Sequence, residues 1–183
     1  MPRVHTTGWA LNRRRRMEIV SRFLSEVLRE GLPARPLPTV RSETSANQPT
    51  VLLVDDETMV RLWLKTFLTE NGIRTLEAAS GDEARRILEA GLVRIDLVFT
   101  DCRMPGATDG FALARWVREN RPGMAVIVAS GDRKNLAKDR KLSASGAFFE
   151  KPYRPDLVLA HIRRLLAAAA YQAAARSRNA LTG

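Results

Sequence analysis

Four short apolar runs in this chain each end in a polar or charged group. Val51–Val54 leads into Asp55-Asp56-Glu57, and Ile95–Thr100 leads into Asp101. Ala125–Ala129 leads into Ser130-Gly131, and Ala147–Glu150 into Lys151-Pro152. Ile73–Ala78 reads as a fifth, weaker strand. Between the runs, Thr58–Asn71, Gly81–Ala90, Phe111–Arg121, Asp132–Leu142 and Asp156 to about Arg176 carry helical periodicity. Strands that are apolar throughout, rather than alternating, suit a parallel sheet covered on both faces. Right-handed crossovers then give a doubly wound α/β sheet of five strand–helix units.

Such sheets bind ligands beyond the carboxyl ends of their strands. The residues waiting there are Asp55, Asp56, Asp101, Ser130 and Lys151. Close carboxylates repel one another and raise each other's pKa, which a hard divalent cation relieves. A carboxylate beside Mg²⁺ can attack phosphorus when the metal and a lysine neutralise the transferring oxygens. A serine hydroxyl can hydrogen-bond the same oxygens. The set is therefore equipped for phosphoryl transfer to an aspartate.

Charge separates this core from the ends. The net charge of +10 divides into +5 over residues 1–48, +1 over 49–153 and +4 over 154–183. The basic pI thus concerns the tails. Residues 1–31 read as a basic extension with an amphipathic helix, Met17–Leu28, and residues 32–49 as a Pro/Ser/Thr linker. The main domain is expected over 50–170 and a C-terminal tail over 171–183. Arg13–Arg16 reads as a solvated end, as a patch for nucleic acid or anionic lipid, or as sequence ahead of a start at Met17. The one cysteine, Cys102, allows no internal disulfide, so a reducing, cytoplasmic setting is expected. No apolar stretch approaches membrane-spanning length, so no membrane partner is expected. His5 and His161 are too isolated to suggest catalysis or a metal.

Taken together, Val-Leu-Leu-Val-Asp-Asp-Glu (51–57), Leu-Val-Phe-Thr-Asp-Cys-Arg-Met-Pro-Gly (97–106), Ala-Ser-Gly (129–131) and Glu-Lys-Pro-Tyr (150–153) resemble the signature blocks of bacterial two-component response-regulator receiver domains. The resemblance covers about residues 50–167. It implies a flavodoxin-like (βα)5 sheet with strand order 2-1-3-4-5, preceded here by the helical extension. It also implies that Asp101 is the phosphoacceptor, and that Asp56, Asp101 and the backbone carbonyl of Arg103 bind Mg²⁺. Asp55 would act through metal-bound water, and Lys151 would pair with the phosphoryl group, before a cis bond to Pro152. Ser130 and the aromatic Phe148 would move as a switch. Arg103 and Asp132 hold positions that tune phosphoryl lifetime, and an ion pair there would shield Asp101 from water. The stretch between Pro105 and Gly110 is one residue longer than the commonest family pattern.

The implied donor is a histidine kinase or a phosphotransfer protein. The downstream partner is unknown and a homodimer stays open. The basic helix from Asp132 is a candidate partner face. The domain is expected not to be an enzyme beyond its own phosphorylation and dephosphorylation. After residue 153 too little chain remains for an output domain, which suggests a single-domain regulator. Two other classes stay in view, though nucleic acid is not the expected partner. A nucleic-acid-binding regulator with basic arms would show a steep salt dependence. A phosphohydrolase working through an aspartyl-phosphate would turn over exogenous phosphomonoesters.

Overall fold

The computed structural model describes residues 48–131 and 148–181. Strand β1 is Thr50–Val54, followed by helix α1 (Thr58–Glu70), β2 (Arg74–Ala78), α2 (Gly81–Ala90), β3 (Leu97–Asp101), α3 (Gly110–Asn120), β4 (Ala125–Ser130), β5 (Phe148–Glu150) and α4 (Pro155–Leu181). The Met17–Leu28 helix, nearly all of the linker, and the Asp132–Leu142 helix with Asp132 lie outside the described residues.

All strand pairings are parallel, and the order is β2-β1-β3-β4-β5, as expected. Alternation along each strand sends successive side chains to opposite faces. Leu52, Val54, Val98, Val126 and Val128 meet Ala84 and Leu88 of α2 and Leu113, Ala114 and Val117 of α3. Val51, Leu53, Leu97, Phe99, Ile127 and Ala129 meet Leu64 and Leu68 of α1 and Val158 and Ile162 of α4. Two apolar layers therefore sandwich the sheet, which is why β1 and β3 are buried along their whole length.

Local chemistry sets the element ends. Ser80 caps α2 by accepting from the Glu83 amide at 3.2 Å, while the Glu83 carboxylate accepts from the Ala79 amide at 2.7 Å. Gly91, in the left-handed region at φ 62°, closes the same helix. Asp109 caps α3 by accepting from the Ala112 amide at 2.7 Å. Helix α4 runs 27 residues to Leu181, so the sequence-based boundary at residue 170 and the helix end near Arg176 both fall inside it. Alanine is the best helix former, and the run after Leu166 gives the helix no local reason to stop. Among the described residues no helix is long and apolar enough to cross a membrane.

Candidate functional site

The carboxyl edge of the sheet gathers the expected residues. Asp55 follows β1, Asp101 ends β3, Ser130 ends β4 and Lys151 follows β5. Asp55, Asp101 and Ser130 are buried. The Lys151 ammonium lies 2.9 Å from Asp55 Oδ2 and 2.6 Å from Asp101 Oδ1, so one cation bridges two carboxylates from separate strands. The Lys151–Pro152 peptide is cis. The Lys151 amide donates to the Ser130 carbonyl at 2.8 Å, which ties the start of this turn to β4.

Electrostatics follow from that geometry. Burial opposes the charge on Lys151, but Asp55 and Asp101 together outweigh it and hold the ammonium protonated above the usual lysine range. Burial pushes the Asp55 carboxyl up, and Asp101 adds to the push. Lys151 and the Glu57 amide, which donates to Asp55 Oδ1 at 2.9 Å, only partly offset it. Burial likewise raises the Cys102 thiol, in keeping with a small core side chain rather than a nucleophile.

The donor set fits a hard cation. Among the described residues Asp56 Oδ1 is buried without a hydrogen-bond partner, an arrangement that a bound cation or its water would relieve. Among the same residues no group of three His, Cys, Asp or Glu side chains is placed to hold a metal ion. Side-chain oxygens alone would thus not complete a Mg²⁺ shell here, and backbone oxygen and water would have to supply the rest. Arg103 presents an exposed side chain, and its amide donates to Asp101 Oδ2 at 2.9 Å. Phe148 is half-buried against the α2/α3 layer. Phe149 faces the other layer, edge-on to Tyr153 at 6.2 Å and to His161 at 5.1 Å. The adjacent phenylalanines thus divide between the two faces.

Two neighbours of the site leave little trace in the sequence. Arg61 of α1 donates to the Asp55 carbonyl at 2.6 Å, with Glu77 of β2 3.7 Å from its Nε and Lys65 2.6 Å from the same carboxylate. Its signal is one arginine among the charges of an amphipathic helix. The second is Asp82 of α2, which accepts from the Thr108 hydroxyl at 2.5 Å and the Ala107 amide at 3.1 Å. A contact spanning 26 residues leaves no mark on local periodicity.

A five-stranded parallel sheet with helices on both faces and a lysine-bridged acidic pocket at its carboxyl edge is a flavodoxin-like signalling architecture. The response regulator receiver domain model matches residues 51–163, and the chain belongs to that family. Transcriptional regulatory protein GltR of Pseudomonas aeruginosa is 32% identical over 129 residues, covering 67% of this chain and 50% of that protein. Transcriptional activator protein ExaE of Pseudomonas putida is 38% identical over 125 residues, covering 66% of this chain and 56% of that protein. The crystal structure of response regulator protein TrrA from Thermotoga maritima, in complex with Mg²⁺–BeF, superposes with a TM-score of 0.57 at 28% identity, covering 64% of this chain and 99% of that one. The chain spans about half the length of the curated relatives it matches.

Proposed function

We propose that this receiver accepts a phosphoryl group on Asp101 from a histidine kinase or phosphotransfer protein. The observation that carries the reading is the Lys151 ammonium set between Asp55 and Asp101 at the end of the sheet. An Asp101 carboxylate oxygen forms the new bond to phosphorus as the bond to the donor's histidine nitrogen breaks. Lys151 stays protonated and follows the charge onto the phosphoryl oxygens, and Ser130 offers its hydroxyl to one of them. Asp56, Asp101 and the Arg103 carbonyl would hold Mg²⁺, with Asp55 acting through water. Bound there, the ion would neutralise charge on the transferring group. Ser130 and Phe148 then bias a two-state surface for a downstream protein. A cytoplasmic setting suits this relay, and the domain's chemistry ends with its own aspartate.

Incubation with a small phosphodonor and Mg²⁺, followed by intact mass, tests this reading. The wild type should gain one phosphoryl group, and Asp101→Asn or a metal-free sample should gain none. Equal labelling of Asp101→Asn would refute it. Arg103, exposed two residues past the acceptor, is assigned to phosphoryl lifetime. Arg103→Ala should therefore change the decay rate of the labelled protein, and an unchanged rate would remove that role.

A further inference from the structure

We infer that Asp82 is a positioning residue for the metal-binding loop, clamping the segment that carries the Arg103 carbonyl against the start of α2. This role rests on the receiver reading and extends it to a residue outside the pocket. The Arg103 carbonyl is a backbone group, so only the path of its loop can aim it. That loop leaves Asp101 and returns at Gly110, whose amide donates to the Cys102 carbonyl at 3.1 Å. Near the acceptor it is pinned by the Arg103 amide on Asp101 Oδ2. On its far side both anchors converge on Asp82, with Oδ1 accepting from the Thr108 hydroxyl and Oδ2 from the Ala107 amide.

The fit between loop and helix is built on both sides. A Cβ at Gly81 would sit 2.2 Å from the Thr108 carbonyl oxygen. A Cβ at Gly106 would sit 2.8 Å from Asp82 Oδ2, and Gly106 has a φ of +121°, which L side chains rarely adopt. Glycines thus allow the close approach that Asp82 then fastens. The Thr108 hydroxyl first, then the Ala107 amide, hold the Asp82 carboxyl below its ordinary range, so the clamp works as a carboxylate. Groups that orient a metal's direct ligands typically change affinity by about 10–100-fold when removed.

Calorimetric Mg²⁺ titration of the full chain tests this directly. Asp82→Ala and Thr108→Val should each weaken Mg²⁺ binding by about tenfold. Asp82→Asn, which keeps an acceptor oxygen, should recover part of the loss. Saturating Mg²⁺ should return the phosphodonor labelling rate of every variant towards wild type. Glu89→Ala, which removes an exposed partner of Arg85 on the same helix, should bind as wild type does. Affinity within about twofold of wild type in the folded Asp82→Ala and Thr108→Val variants would overturn the clamp, even if their melting temperatures fall. Should Asp82→Ala fail to fold, Thr108→Val decides the matter in the same way. A wild type that binds no Mg²⁺ would overturn the proposed Mg²⁺-dependent phosphorylation, and the clamp with it.

Discussion

Lys151 is the residue on which the pocket's charge balance turns. Its side chain is 17% exposed and the carboxylates it bridges are 7% and 1% exposed. Removing one partner of a buried ion pair leaves the other charge uncompensated, at about 3–5 kcal/mol. Lys151→Met should therefore lower metal-free stability by about 3 kcal/mol in urea denaturation, and added Mg²⁺ should recover much of that loss. A loss of the same size with and without Mg²⁺ would mean that the carboxylates and the lysine do not share one charge balance. The pocket residues are legible in the sequence because each is fastened to a strand end, so locating the strands locates the chemistry. Arg61 and Asp82 are not, because their partners lie on other elements. An arginine or aspartate in the first turns of a helix looks the same whether it faces solvent or grips a loop.

At the scale of elements, burial on two faces decides what can be read. β1 and β3 are covered by helices above and below, so their sequences are apolar without a break. β2 is an edge strand in which only Ala78 is buried, so its pattern is faint. β5 is three residues long, and Phe148 and Phe149 alone give no sign of which face each takes. The end of α4 is hidden because alanine marks neither a buried face nor a stop. Helix α1 is held by Leu64 and Leu68, both buried against the β1/β3 layer and near Val158 and Ile162 of α4. Leu68→Ala should cost about 3 kcal/mol, read as a lower urea midpoint at an unchanged slope. A loss below about 0.5 kcal/mol would mean that α1 is not part of the core that supports Asp55 and Arg61.

For the molecule as a whole, the fold brings four distant stretches of chain to one edge and leaves the net positive charge mainly outside residues 49–153. The sheet's two covered faces do no chemistry; they set the spacing of the strand ends. The family match, residues 51–163, takes in nearly the whole sheet, and the matched stretch makes up 50% and 56% of the regulators GltR and ExaE. Everything proposed for the pocket depends on which carboxylate takes the phosphoryl group. Borohydride reduces an aspartyl phosphate to homoserine, so peptide mapping after labelling and reduction reads the acceptor by its position. Homoserine at position 101, dependent on both donor and Mg²⁺, is the expected result. Homoserine at position 55 or 56, or at none of the three, would contradict the assignment of Asp101.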